Sequence, residues 1–533
     1  MKRLLTALVA AAAFWTSGCG GGGGTTITPP PPSGNFSPAS LNGTYAFMTS
    51  GEVCAGCVSA ASPMVRVGSF VADGNKGILG GVEDVNTSGT PSGAIAITGG
   101  SYTVNADGRG TLTLQLGSNT LEFGIVLTST SDGLMIDETS NANQASTGSG
   151  NFIKQDTTVC SSPVSSVAGT YVFDFAGLDS SGSPESFVGE FTANNGATAA
   201  NLGDINDSGT LSNGTFTAAF GTDGLTAAGP DACGRGLAQI VTGAVTETYA
   251  YYVVDATRVR FINSAGGEML SGDAVFQSGG LPTAVSAINS SFSFLVAGGS
   301  ANGGLTRVGR LTAGGSTLSK MLMDVNDATN EIQFDNLSNG SITNYDGTTG
   351  RGTFSFQDSN GTIYSFIFYL SSPNGGVIQD VSPSSTAGFA RVVADGSILG
   401  QSGSPFTSSN VSGGYALSWS GLETASGTFQ DEEDILGQVN VNNLVLSGTT
   451  DAFQFTSSTL TPQTNIGTAG QINFNGGDGT GDDGKRVNMT VNLSNASPIH
   501  MVVYIVSPQL AFFENMDNNG APRIVAGILK AQQ

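Results

Sequence analysis

The chain repeats itself at a domain-length period, and this repetition constrains its fold more than any other feature. A glycine that usually follows valine recurs about every 120 residues, at Gly68, Gly189, Gly309 and Gly427. An Asp-Val/Ile-Asn triplet starts at Asp84, Asp204 and Asp324, and its fourth copy reads Asn440-Val441-Asn442. Gly-Arg-Gly is centred on Arg109, Arg235 and Arg351, and the last copy reads Gly484-Lys485-Arg486. A period of this length predicts four tandem domains of common origin, not a solenoid of short repeats.

The landmarks divide the chain into six segments. We expect a lipoprotein signal peptide at 1–18, a Gly/Pro-rich tether at 19–35, and four β repeats. The repeats are assigned to 36–158, 159–282, 283–396 and 397–533, the last of them divergent.

Each repeat has the pattern of an antiparallel all-β domain. Leucine and threonine alternate in Thr111-Leu112-Thr113-Leu114, so one face of that strand is apolar. Turn signals such as Asp73-Gly74-Asn75 separate the apolar runs. The even spacing of about eight strands in each repeat favours an up-and-down barrel, with a two-sheet sandwich as the alternative.

The N-terminus carries an export signal. Lys2 and Arg3 precede an apolar run at 4–15, which is too short to cross a bilayer and typical of a signal peptide. Thr16-Ser17-Gly18-Cys19 then resembles a bacterial lipobox, and five glycines and four prolines follow as a tether. We expect Cys19 to carry a lipid, with a cleaved secretory signal and release into the periplasm as the alternative.

Cysteine usage agrees with export. Once Cys19 is assigned to the lipid, four cysteines remain, an even number in an oxidising compartment. Cys54 and Cys57 are predicted to form a local disulfide and not a redox pair, because their surroundings are β-like. Cys160 and Cys233 fall in one repeat and are predicted to form the second bridge.

Composition excludes several classes of function. The chain has 18 Lys+Arg against 41 Asp+Glu, a net charge of -23, so nucleic acid is not an expected partner. His500 is the single histidine and lies in a strand-like run, which argues against a catalytic triad and against zinc. We therefore expect no catalytic residue, no metal and no cofactor. Calcium near 431–434 or 478–483 is left open.

The recurring Asp and Arg residues suggest structural ion pairs. Within each of the first three repeats the Gly-Arg-Gly follows the Asp triplet by 25 to 31 residues. One hypothesis pairs Asp84 with Arg109, Asp204 with Arg235, and Asp324 with Arg351. The other holds that both motifs are independent turn markers.

Several segments, among them Asn42-Gly43-Thr44-Tyr45 and Asp107-Gly108-Arg109-Gly110, resemble repeat-containing lipoproteins of Gram-negative environmental bacteria. Gly43-Thr44-Tyr45 is also similar to the first-strand Gly-x-Trp of lipocalin- and avidin-like barrels. The first resemblance implies lipid anchoring, with Gly20 favouring the outer membrane, and neither supplies functional residues to transfer.

Three functions follow as expectations. The first is a non-enzymatic, lipid-anchored envelope or surface protein with a structural, adhesive or interaction role, whose partners are the membrane, envelope proteins or glycans. The alternative is a barrel lipoprotein that binds a small ligand or glycan. The third is an envelope hydrolase that uses carboxylates or His500.

Overall fold

In the computed structural model the chain forms four antiparallel β-barrels, which confirms the predicted fold class. The structure describes residues 35–55, 61–141, 144–160, 163–194, 197–221, 234–243, 245–300, 303–327, 331–332, 337–384, 391–403, 405–424, 429–456, 459–474, 486–494, 497–516 and 523–533. The predicted signal peptide, the lipidation site Cys19 and nearly all of the tether lie outside the described residues.

The strands follow one another around each barrel in chain order. Barrel 1 contains β1 (Asn42–Ala55), β2 (Ser62–Asp73), β3 (Gly77–Thr87), β4 (Thr90–Ile97), β5 (Gly99–Tyr102), β6 (Arg109–Leu116), β7 (Asn119–Leu127), β8 (Asp132–Asp137) and β9 (Gln144–Lys154). Barrel 2 contains β10 (Gly169–Leu178), β11 (Pro184–Asn194), β12 (Ala197–Asp207), β13 (Thr210–Thr215), β14 (Thr217–Gly221), β15 (Arg235–Thr242), β16 (Val245–Asp255), β17 (Arg258–Asn263) and β18 (Met269–Phe276).

The second half of the chain repeats this order. Barrel 3 contains β19 (Ser291–Ser300), β20 (Gly303–Gly314), β21 (Thr317–Asp327), β22 (Glu331–Ile332), β23 (Ser338–Thr343), β24 (Arg351–Gln357), β25 (Ile363–Ser372), β26 (Gly375–Asp380) and β27 (Val393–Gly400). Barrel 4 contains β28 (Gly413–Thr424), β29 (Phe429–Asn442), β30 (Val445–Thr456), β31 (Thr459–Asn473), β32 (Arg486–Leu493), β33 (Ile499–Ser507), β34 (Leu510–Asn515) and β35 (Arg523–Ala531). Helical segments are short: α1 (Pro163–Ser166) and 3-10 turns at Pro38–Ser40, Thr157–Val159, Val285–Ala287 and Ser408–Asn410. The described residues contain no helix long and apolar enough to span a membrane.

Each barrel is closed by strand pairing, so the sandwich alternative is wrong. In barrel 1 the first strand pairs with β2 and β9, and β2 also pairs with β3. Barrels 2 and 3 close in the same way, through β11–β12 and β20–β21, and the β28–β35 pairing closes barrel 4. In the part of the chain that the structure describes, each wall strand has a partner on both sides, which removes the free edges at which other chains pair.

One hairpin extends from each wall of the first three barrels. Among the described residues, β4, β13 and β22 pair only with the strand before them, which is β3, β12 and β21 in that order. In barrel 4 one long strand, β31, takes the place of the two strands that follow the third strand in the other barrels. Its first half pairs with β30 and forms the protruding hairpin, and its second half also pairs with β32 and forms part of the wall. Each hairpin turns at the end of its barrel where the first strand ends and the second begins, as the pairing of Met64 with Thr87 shows in barrel 1.

Apolar side chains fill the barrel interiors. In barrel 1 the buried rings include Tyr45, Phe47, Phe70, Phe123 and Phe152. Full burial of such a side chain contributes about 1.5–3 kcal/mol to the stability of the fold. Because side chains fill the interiors, each interior is a packed core and not a channel.

The aromatic residue that opens each repeat has a second role where it is tyrosine. The hydroxyls of Tyr45, Tyr171 and Tyr415 donate to carbonyls of the penultimate turn of their barrels, with O···O distances of 2.9 to 3.0 Å. These bonds hold that turn against the start of the first strand.

Candidate functional site

Three junctions between successive barrels share one buried constellation of Asp, Arg and Tyr. Asp84 on β3 accepts from Arg235 of barrel 2, whose Nε and Nη2 lie 2.7 and 2.8 Å from its two oxygens. The Tyr252 hydroxyl donates to the same carboxylate at 2.5 Å, and the backbone N–H of Ala94 adds another bond at 3.0 Å. Because Arg235 and Tyr252 are directly opposite each other on β15 and β16, the sheet presents them together.

The next two junctions repeat this arrangement. Asp204 of barrel 2 accepts from both Nε and Nη2 of Arg351 at 2.7 Å and from the Tyr369 hydroxyl at 2.6 Å. The side chains that surround Asp324 of barrel 3 are Arg486, at 2.7 and 2.6 Å, and Tyr504, at 2.5 Å. Bidentate pairing of this kind fixes both distance and orientation, so each junction sets the angle between two barrels.

The fourth junction joins barrel 4 back to barrel 1, and the four barrels therefore form a closed ring. Arg109 Nη2 lies 2.6 Å from Asp451 Oδ2, and both arginine Nη atoms donate to Asn465 Oδ1 at 3.2 Å. The position opposite Arg109 on β7 is Val126, so this junction lacks the tyrosine of the other three.

A glutamine at the exit of each barrel reinforces the ring. Gln155, Gln277, Gln401 and Gln532 each donate their side-chain amide to a backbone carbonyl of the following barrel, at 2.7 to 2.9 Å. For Gln532 the following barrel is barrel 1. The neighbouring residue adds a backbone hydrogen bond between the same two barrels, from Gln533 N–H to Thr128 O at 2.7 Å.

These contacts explain the first glycine of Gly-Arg-Gly. Gly108 has a φ of 86°, and a Cβ there would lie 2.6 Å from Gln532 Nε2. A larger residue would therefore be strained and would also displace the glutamine.

The ion pairs predicted within each repeat are wrong. Asp84, Asp204 and Asp324 pair with the arginine of the following barrel, not with Arg109, Arg235 and Arg351 in that order. The physical reason is that this Asp faces outward from its own barrel wall and meets the start of the fifth wall strand of the neighbour.

The prediction that Asn440 is the fourth copy of Asp84 is also wrong. Asn440 lies on β29, whereas the register of strand pairing makes Asp451 on β30 the counterpart of Asp84. The same register makes Gly437, which pairs with Leu417, the counterpart of Gly68, which pairs with Phe47. Arg486 keeps the role of the arginine although its Gly-Arg-Gly motif is lost.

Buried carboxyl groups lie where barrels meet. Asp174 of barrel 2 interacts electrostatically with Asp395 of barrel 3, and burial raises the pKa of both, that of Asp395 to about 6. Asp434 of barrel 4 accepts from Thr147 and Ser149 of barrel 1 at 2.8 and 2.6 Å, and burial raises its pKa to about 7. Protonation removes the charge that would be costly in such places.

The interiors alternate between two designs. In barrel 1 a buried Arg66 contacts Glu83 at 3.1 Å and Asp137 at 3.4 Å. Barrel 3 has the matching Arg307–Asp380 pair. At the same register positions barrel 2 has Phe187 with Asn263, and barrel 4 has Ile435 with Asn515. Arginine and aspartate are thus kept or lost together.

The described residues hold no group of three or more metal-ligating side chains. The strand segment 431–434, one of the two places where calcium was left open, is part of β29, and 478–483 lies outside the described residues. His500 is exposed on β33. Cys57 and Cys233 also lie outside the described residues, so the pairings predicted for Cys54 and Cys160 stay predictions.

Comparison with known proteins adds no family. No protein family and no curated protein matches the chain. Among solved structures, a putative AttH from Nitrosomonas europaea is 9% identical, with 44% of this chain and 92% of that chain covered at a TM-score of 0.20. Transferrin Binding Protein B of Haemophilus parasuis is 10% identical, with 76% and 83% covered at a TM-score of 0.21. That of serogroup B Neisseria meningitidis is 10% identical, with 76% and 85% covered at 0.18. Likenesses at these TM-scores carry no argument about this chain.

Proposed function

We propose that this chain is a non-enzymatic envelope protein, exported and held at the outer membrane by a lipid on Cys19, with a structural or adhesive role. The closed ring of filled barrels carries the proposal. Its side chains fill the four barrel interiors and form four buried junctions, which is what a rigid scaffold requires.

The position of the chain ends supports the orientation on such an anchor. Phe36, among the first described residues, packs beside Gly108 and close to Gln532, at the end of barrel 1 opposite the protruding hairpins. A tether that enters there would leave the four hairpins on the side facing away from the membrane. The strands at 90–93, 210–215 and 459–465 contain no charged residue and many Ser, Thr and Asn, so they present hydroxyl and amide groups to a partner.

The anchor can be tested directly. Cells that express the chain would be fed an alkyne-tagged fatty acid, and the purified protein would be examined for the label. We expect label on the wild type and none on Cys19→Ala, with Cys160→Ala as the control that keeps it. A labelled Cys19→Ala protein, or an unlabelled wild type, would contradict lipid anchoring at this residue.

The role is tested by complementation. Cells that lack the chain would receive the wild type, the junction variant Arg351→Ala, or His500→Ala, and envelope integrity and attachment to surfaces would be measured. We expect the junction variant to fail and His500→Ala to restore both. If His500→Ala failed while its protein was folded and abundant, the envelope-hydrolase function would be favoured instead.

A second candidate function, the binding of a small ligand or glycan, is favoured by one observation. Barrel 2 has a cavity of about 280 Å³ at its hairpin end.

A further inference from the structure

The cavity in barrel 2 lies between the protruding β12–β13 hairpin and the β15–β16 turn. Phe187 and Phe216 form its apolar floor, with ring centroids 5.5 Å apart in an edge-to-face arrangement. Ser212, Thr215 and Thr242 line its walls. Mouths of β-barrels are common places for ligands, and this volume is below the roughly 300 Å³ at which drug-sized pockets begin.

A single glycine explains why the cavity is there. Gly203 pairs with Gly189, and the same register position holds Glu83 in barrel 1, Met323 in barrel 3 and Thr450 in barrel 4. A Cβ at Gly203 would lie 2.3 Å from the Phe187 ring. The absent side chain therefore makes room for the ring, and the space above the ring stays open.

The chemistry of the lining restricts the ligand. No Asp, Glu, Lys or Arg is among the lining residues, so a charged ligand would lose its hydration without gaining a partner. An aromatic floor suits the apolar C–H face of a ring, and hydroxyl and amide groups around it suit a ring with polar edges. Val245, which pairs with the lining residue Thr242, is 52% exposed.

We infer that this cavity binds one neutral pyranose ring of a glycan, with its C–H face on Phe187 and Phe216 and its hydroxyls on Ser212, Thr215 and Thr242. This inference rests on the second candidate function, and it does not depend on the scaffold role. One ring in one small cavity gives few contacts, so the affinity of a single sugar is in the millimolar range.

The side chain of Asn213 connects the cavity to the ring of barrels. Asn213 lines the cavity and donates through Nδ2 to Asp204 Oδ1 at 2.9 Å, and Asp204 is the acceptor for Arg351 of barrel 3. A sugar in the cavity therefore lies one residue away from the junction between barrels 2 and 3.

The test is saturation-transfer NMR on the full chain, with methyl glucoside, methyl galactoside and methyl mannoside as probes and cyclohexanol as a ring without the hydroxyl set. Gly203→Met introduces the residue of barrel 3 and fills the cavity from below. Ser212→Phe fills it from the exposed rim and does not disturb Phe187. Met323→Gly is the matched control, since it removes the equivalent side chain in barrel 3.

We expect at least one methyl glycoside to receive saturation from the wild type and to lose at least nine-tenths of that signal in both filling variants. Undiminished glycoside signal in folded Gly203→Met and Ser212→Phe proteins would overturn the assignment to this cavity. Signal from cyclohexanol without signal from any glycoside would overturn the inference that the ligand is a sugar, while the cavity would still bind a small ligand. No signal from any of the four probes would overturn both.

Discussion

Arg109 and Asp451 are 342 positions apart in the chain, yet Nη2 of the first lies 2.6 Å from Oδ2 of the second. Barrels 1 and 2, 2 and 3, and 3 and 4 are consecutive in the chain, so a peptide links the two barrels at each of these junctions. The junction of Arg109 with Asp451 is the one of the four ion-pair junctions without such a link. The ring is consequently closed by non-covalent contacts alone at this place, and its opening should be controlled there.

The closing junction should open when the contacts of Asp451 and Gln532 are removed. In Asp451→Ala/Gln532→Ala the bond to Arg109 and the two bonds from Gln532 are lost, and we expect a larger radius of gyration by small-angle X-ray scattering. The matched control is Asp204→Ala/Gln277→Ala, where the peptide between barrels 2 and 3 and the intact closing junction both limit separation. Equal radii for both variants and the wild type would contradict closure through these contacts.

Loss of a junction carboxylate should be strongly destabilising. Asp324→Ala leaves Arg486 in a buried place without its counter-charge, and removal of one partner of such a pair costs about 3–5 kcal/mol. Urea denaturation followed by the fluorescence of Trp419, which is buried in barrel 4, reports this change. Lys530→Ala, in the same barrel, removes a more exposed pair with Asp132 and should cost about 1 kcal/mol or less. Similar costs for the two variants would show that the junction is not special.

The interior design of barrel 1 should be convertible to that of barrel 2. Arg66→Phe alone leaves Asp137 and Glu83 without their cation and should cost about 3–5 kcal/mol. Addition of Asp137→Asn and Glu83→Gly introduces the set found in barrel 2, and we expect at least half of the loss to be recovered. Thermal unfolding by calorimetry measures both steps. An additive further loss in the triple variant would argue against the two interchangeable designs.

Stability should fall as pH rises from about 4 to 7. The pKa of Asp395 is raised by burial to about 6 and that of Asp434 to about 7, whereas in the unfolded chain an aspartate titrates near 3.9. The unfolded state therefore releases these protons first, and stability that is fully present below pH 4 is lost as pH rises through the folded values. For Asp395 the loss is about 3 kcal/mol.

The measurement is the unfolding midpoint between pH 4 and 8. Asp395→Asn should flatten the part of the curve near pH 6 because an amide cannot titrate. Thr103→Ser, an exposed change that alters no titratable group, serves as the control and should leave the slope unchanged. A wild-type midpoint that rises over this range would contradict the raised pKa values.

The repeat made the fold predictable and also hid the junctions. Alternating apolar residues and turn signals are local, so strands and their number per domain could be predicted from sequence. The choice of partner for Asp84 could not, since Arg109 and Arg235 occupy equivalent positions in their repeats and a periodic pattern fits both equally well. Only the packing of one barrel on the next distinguishes them.

The fourth repeat shows a second limit. Spacing along the chain fails where a loop changes length, so it points to Asn440, whereas Asp451 occupies the equivalent place in space. The Arg66–Asp137 and Arg307–Asp380 pairs align repeats 1 and 3, but the fourth repeat has Ile435 and Asn515 at these positions and carries no such signal. The cavity above Phe187 depends on Gly203, one among 78 glycines, and sequence alone gives no reason to single it out.

The repeated Asp–Arg contact also limits the number of barrels in the ring. A head-to-tail interface that meets itself after four copies sets their number by geometry, since three copies would leave a gap and a fifth would find its docking face already occupied. Gene duplication could lengthen such a protein only by abandoning the interface angle, so selection for that angle would hold the copy number at four.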